Sequence, residues 1–146
     1  MPVKASTGLR NGLMVEGSFK SLMDSSFLKI YAGAEPASAD APPGVLLCTM
    51  TNNSDGTTPL TFAPSANDGV LQKNAAESWA GAITATGTAS HYRLELAADD
   101  QLQSDTHKRV QGTIGTAGAD MNLTSVALVL GGSQNIDYYS IVLPTN

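Results

Sequence analysis

Two histidines, His91 and His107, lie near three aspartates, Asp99, Asp100 and Asp105. A histidine next to a carboxylate is the minimum equipment for general acid–base work, and a serine in contact with that pair completes a hydrolytic triad. The chain is rich in serine, but none stands in a Gly-x-Ser-x-Gly elbow. His91 falls on the polar side of an alternating stretch, which predicts it at the surface. The group Asp99-Asp100 with Asp105-Thr106-His107 offers the oxygens and the imidazole that a cation accepts. Its spacing is not that of an EF-hand and the turn glycine is missing, so the favoured reading is a solvated acidic loop. The run Gly112-Thr113-Ile114-Gly115-Thr116-Ala117-Gly118 has the glycines of a phosphate-binding loop. The Gly-Lys-Ser/Thr ending is absent, and Asp120-Met121-Asn122-Leu123 leads into a strand pattern instead of a helix. Trp79, the single tryptophan, and Tyr138-Tyr139 are the candidates for an aromatic platform that would hold a sugar; core packing is the competing assignment. The lone Cys48 cannot form an internal disulfide and sits in the apolar run Val45-Leu46-Leu47-Cys48, which predicts a buried, inert thiol. These residues predict no catalytic group, no cofactor and no metal, and hence a protein that is not an enzyme.

The elements that would position these residues are mostly strands. Tyr92, Leu94 and Leu96 alternate with His91, Arg93 and Glu95 over Ser90–Ala97, the mark of a half-buried antiparallel strand. Further strand patterns cover Phe27–Ala32, Val45–Thr51, Pro59–Ala63, Gly69–Lys73 and Arg109–Ile114, with a weaker one over Trp79–Thr86. Gly, Pro, Asn and Asp punctuate them. Residues 33–43, with Pro36, Pro42 and Pro43, must be a loop, and Asn52-Asn53-Ser54-Asp55-Gly56 is a strong turn signal. Met121–Leu130 and Ile136–Leu143 flank Gly131-Gly132-Ser133 and read as a terminal β-hairpin. The fold class that follows is all-β, an antiparallel β-sandwich of jelly-roll type. The first 24 residues differ. Leu9, Leu13, Met14, Phe19, Leu22 and Met23 approximate helical spacing, Thr7 is a candidate cap, and Gly17 interrupts the pattern. The domain reading is therefore a short, partly helical N-terminal arm over 1–24 and a sandwich over 25–146.

With 146 residues the chain suits one domain, large enough to bury roughly 70% of its unfolded surface without staples. Charged residues make up 14%, against about 25% in an average protein, which leaves a weakly charged polar surface. The net charge of −5 argues against nucleic acid as a direct partner. Residues 1–29 carry four bases against two acids and residues 30–146 four bases against eleven acids. That contrast is either the chance placement of few charges or a basic arm that docks on an acidic neighbour. No stretch approaches the ~18 apolar residues of a membrane span. Met1-Pro2-Val3-Lys4 opens no signal-peptide pattern, so the expectation is a protein made in the cytoplasm that stays soluble, with the sequons at Asn52 and Asn122 unused.

Several segments carry a resemblance: Ser6-Thr7-Gly8-Leu9-Arg10-Asn11, Gly17-Ser18-Phe19-Lys20-Ser21-Leu22, Phe27-Leu28-Lys29-Ile30-Tyr31-Ala32-Gly33, Glu35-Pro36-Ala37-Ser38-Ala39-Asp40 and Leu46-Leu47. Trp79, Gly87-Thr88-Ala89, Tyr92-Arg93 and Gln111-Gly112-Thr113-Ile114-Gly115 follow in order. Over nearly its whole length the chain resembles a group of small virion-associated proteins of tailed bacteriophages. The resemblance implies a structural part of the virion: first a head decoration (cement) protein on the outside of the major capsid shell, next a neck or tail component, and third a glycan-binding module on the particle. It implies the major capsid protein as partner, with a homo-oligomer of two or three copies as a further possibility. Lys4, Leu9, Arg10, Leu13, Phe19 and Lys20 in the arm are the expected partner-binding residues.

Overall fold

The computed structural model describes residues 3–142. Their elements run β1 (Lys4–Ala5), α1 (Thr7–Val15), α2 (Phe19–Met23), β2 (Ser26–Ala32), β3 (Val45–Asn52), β4 (Val70–Gln72), β5 (Trp79–Ala82), β6 (Gly87–Leu96), β7 (Arg109–Gly115), β8 (Met121–Asn122), β9 (Ala127–Leu128), β10 (Ser133–Ile136) and β11 (Ser140–Val142). The fold is an all-β antiparallel sandwich with a short helical segment near its N-terminus, as alternation and turn chemistry predict. The main sheet runs β1-β7-β6-β2-β3-β5-β10, with β8 added to β7 and β9 to β6, while β4 and β11 form a two-stranded sheet. No helix among the described residues is long and apolar enough to cross a membrane.

One face of the central strands builds the apolar core. Leu28 and Ile30 of β2, Met50 of β3, Tyr92 and Leu94 of β6 and Val110 of β7 are all buried. A chain of rings carries this core across to β5: Tyr92 meets Tyr139 edge-on at 5.6 Å, Tyr139 lies 5.7 Å from Trp79, and Trp79 lies 5.8 Å from Phe62. Burying each such large side chain contributes about 1.5–3 kcal/mol. Trp79 therefore belongs to the core, its indole N–H donating to Glu77 Oε1 at 2.9 Å. Strand β5 fits between β3 and β10 because residue 81 has no side chain; a Cβ there would sit 2.0 Å from the Thr49 carbonyl oxygen. Cys48 is buried, and desolvation pushes its thiol up to about 11, so it is inert as read from the sequence.

Three local expectations are corrected. The terminal hairpin does not form: β10 pairs with β5 and β11 with β4, and Leu143 lies outside the described residues. Between these strands Tyr139 turns into the core, and its carbonyl accepts from Lys73 N–H at 2.8 Å, so non-local burial wins over the local turn. Pro59–Ala63 makes only isolated bridges, Leu60 to Ser26 and Phe62 to Lys73, because Pro59 and the following Pro64 cannot donate to a ladder. The cap of α1 is Ser6, one residue before Thr7, with its Oγ accepting from Leu9 N–H at 3.2 Å.

The largest difference concerns residues 1–24, read as an arm separate from the body. In the structure this segment packs onto the sandwich. Strand β1 pairs with β7, Lys4 opposite Gln111 and Ala5 opposite Val110, and Leu9 and Met23 are members of the core. The helical break at Gly17 is real, and Ser18 caps α2 by accepting from Ser21 N–H at 3.1 Å. Two requirements bring the segment home: the apolar stripe of α1 needs a surface to cover it, and the outer edge of β7 needs protection. That edge is closed along its length, by β1 at Val110–Gln111, by the Asp120 carboxylate on Thr113 N–H at 2.9 Å, and by β8 at Ile114–Gly115.

Candidate functional site

Of the residues singled out for chemistry, His91 lies with the polar side chains of β6 and β7 on the face of the sheet opposite the core, and that face is buried. His91, Arg93 and Glu95 of β6 and Arg109 and Gln111 of β7 have no exposed surface, which corrects the expectation of a solvated face. The register sets them in rows. Thr113, His91 and Tyr31 lie across one, Gln111, Arg93 and Lys29 across the next, and Arg109 and Glu95 pair beyond. What covers them is the 33–43 loop, here a strap, together with the 97–108 loop.

The strap is held by main-chain acceptors. Arg93 Nη2 donates to Ala41 O at 2.6 Å, Arg109 Nη1 to Ala39 O and Asp40 O at 3.1 Å each, and Gln111 Nε2 to Pro36 O at 2.8 Å. Side chains at its ends add to this. Lys4 pairs with Glu35 at 2.9 Å, and the Asp40 carboxylate accepts from Thr7 N–H at 2.7 Å and Thr7 Oγ1 at 2.6 Å. Beneath it, Arg93 Nε donates to Gln111 Oε1 at 2.8 Å, Tyr31 Oη to Glu95 Oε2 at 2.9 Å, and Lys29 lies 3.2 Å from Glu95. Burial, reinforced by the Glu95 charge, raises the Tyr31 hydroxyl far above the ordinary phenol range, so it stays a donor. Arg93 Nη1 is buried with no acceptor among the described residues. Buried charges held this way act as a structural clamp: each is committed to a neighbour that breaks if the charge moves.

His91 is part of the clamp. Its ring stacks on Tyr31 at 5.5 Å, Nδ1 lies 2.8 Å from Ser90 Oγ, and Nε2 accepts from Gly44 N–H at 3.4 Å. An accepting Nε2 makes the imidazole neutral. Desolvation, with the Arg93 charge acting the same way and Glu35 opposing, holds its pKa below the ordinary value. Above pH ~6.5 the imidazole is neutral in both the folded and unfolded chain. As pH falls through that value the unfolded chain takes up the proton first, so stability is lost on acidification. Urea midpoints measured between pH 7.5 and 5.5 are expected to fall, no more steeply than about 1.4 kcal/mol per pH unit for one group, and His91→Gln is expected to remove that component.

The acidic loop is only partly solvated. Asp99, Asp100 and His107 come together with one ligand atom each within 4.8 Å, whereas Asp105 is not a member of the group. Asp99 is already engaged by Arg109, Nε to Oδ2 at 2.6 Å and Nη2 to Oδ1 at 2.7 Å. Burial alone would raise its pKa, but the Arg109 hydrogen bonds and charge and the Gln101 N–H outweigh burial and hold it below the usual carboxylate range. Both oxygens are spent on a guanidinium, so the arrangement is an anchor for Arg109. The Gly112–Gly118 run forms the end of β7 and its turn.

The six expected partner-binding residues divide. Leu9 is in the core. Phe19 packs edge-on against Phe62 at 5.4 Å. Lys4 is tied to Glu35, and Lys20 to Asp24 at 2.7 Å and Phe62 O at 3.1 Å. Arg10 and Leu13 stay at the surface, where Met14 and Val15, each more than 80% exposed, continue them into an apolar knuckle at the end of α1. Met14 and Val15 fall off the buried Gly8/Leu9/Gly12 stripe; apolar residues on the wrong side of a helical wheel are the sequence signal for them. Of the aromatic candidates, Trp79 and Tyr139 are buried and Tyr138 is exposed. Tyr138 stands at a cleft of about 850 Å³ lined by β10, by Met121–Thr124 and by Gln72, Lys73 and Ser140. No family model, no curated protein and no solved structure matches this chain.

Proposed function

We propose that this protein is a structural, non-catalytic component of a tailed-phage virion that works by burying its surface against other proteins, with head decoration of the major capsid shell as the first placement. The observation that carries the reading is the apolar knuckle Leu13-Met14-Val15, raised to the surface on a helix whose other side is fixed in the core. Large exposed apolar side chains on a rigid element mark interaction sites. Of the residues that would serve catalysis, His91 and Asp99 are engaged in the clamp instead, and the few surface charges favour close packing. Many copies of a modest contact, each within the usual 1,200–2,000 Å² range or below it, hold a shell by avidity. The resemblance to small virion proteins supplies the shell as partner.

Two measurements test this. Purified protein added to shells that lack it should bind the outer surface in hundreds of copies, counted by particle reconstruction; a handful of copies at the neck or along the tail would move it to the runner-up placement. Met14→Asp with Val15→Asp should abolish that binding while leaving stability within about 0.5 kcal/mol, as for surface substitutions generally. Full decoration by the double variant would rule out the knuckle.

A further inference from the structure

The two ends of the main sheet are treated differently. The β7 edge is closed along its length, whereas β10 pairs with β5 alone. Ile83 N–H donates to Gly132 O, so antiparallel alternation sets Gln134 and Ile136 to bond β5 and turns the main-chain groups of Ser133 and Asn135 outward. The Asn135 carbonyl is indeed met there by the half-buried Gln134 side chain, Nε2 donating at 2.8 Å. The opposite wall of the cleft is also a one-sided strand. Leu123 N–H donates to Gly115 O, leaving the main-chain groups of Asn122 turned away from β7. The 850 Å³ cleft thus lies between two strand edges, each without a partner strand on that side among the described residues.

We infer that this cleft takes up an extended segment of another protein, which adds a strand to β10. Main-chain donors and acceptors on facing walls select a polypeptide in β conformation. A second copy is a poor donor, because every described strand of this chain is already paired in its own sheets. Charge specifies the segment further. Of the charged side chains in the lining, Lys73 Nζ is spent on Glu77 O at 2.6 Å and Asp120 on Thr113. Asp137 is exposed, so the guest is a segment whose one charged residue is a lysine or arginine opposite Asp137. Tyr138, 91% exposed at the rim, closes over it. The inference deepens the proposed reading by stating how the shell protein is gripped, and rests on that reading only for the source of the segment.

A displayed library of random octapeptides is the first probe. Selection should enrich sequences with two-residue alternation and a basic residue, and a synthesised winner should slow hydrogen exchange at the Ser133, Asn135 and Asn122 amides by about tenfold or more. Asn135→Pro removes one outward donor while sparing the β5 pairing and should weaken the peptide about tenfold, and Asp137→Asn should erase the preference for a basic residue. No enrichment, or protection confined to other amides, overturns the inference; if Asn135→Pro does not fold, the protection pattern of the unaltered chain decides. Docking on shells without protection of these amides sinks the inference and leaves the decoration reading standing. Peptide protection without shell binding does the reverse.

Discussion

Deleting residues 1–23 is expected to leave a chain that no longer unfolds cooperatively. The deletion removes Leu9 and Met23 from the core, and loss of a buried Leu or Met side chain costs about 2–5 kcal/mol each. It also removes Ser6, whose Oγ accepts from Arg109 N–H at 2.8 Å and donates to His107 O at 2.7 Å, and β1, which covers the β7 edge. The combined loss is comparable with the about 5–15 kcal/mol that holds a typical domain together. Loss of near-UV circular dichroism and of a sharp urea transition is the check. A truncated chain that melts as sharply as the full one would restore the reading of a separable arm.

Arg109→Met is expected to destabilise the fold by about 3–5 kcal/mol, because it leaves the Asp99 carboxylate buried without its guanidinium. Three carbonyls, Ala39, Asp40 and Leu102, lose their donor in the same change. Asp99→Asn is expected to cost less, since an amide keeps one acceptor for Arg109. The pair also has an acid signature. Asp99 is held below the ordinary carboxylate range in the folded chain, so its contribution is present above pH ~4 and lost as pH falls through the lowered value. Urea titrations of both variants at pH 7 and pH 3.5 separate the effects: the gap between Asp99→Asn and the unaltered chain should narrow in acid.

The all-β class was legible from Tyr92, Leu94 and Leu96 and from the turn residues around them, because alternation reports one buried face directly. It does not report the second. His91, Arg93 and Glu95 read as solvated, since isolated strands give no sign that a loop closes over them. The available hint lay in pairing across strands: Glu95 on β6 and Arg109 on β7 carry opposite charge at matched positions, as a shared buried face requires. Helical spacing found α1 and α2 but not their docking, which depends on the β7 edge far along the chain. The terminal hairpin was lost for the same reason, because β5 offered β10 a partner that no local pattern reveals. Of the six arm residues named by type and position, Arg10 and Leu13 are exposed, and the stripe geometry adds Met14 and Val15 beside them.

The strap over the polar face is gripped largely through its carbonyl oxygens, at Pro36, Ala39, Asp40 and Ala41. Such a grip reads the path of the chain and is nearly blind to its spelling. Ala37, exposed and without a polar side chain, is therefore free to drift in identity, whereas adding or removing one residue shifts carbonyls out of reach of the arginine or glutamine that holds them. In a library of variants this stretch should tolerate substitution as a linker does and reject length changes as a core does.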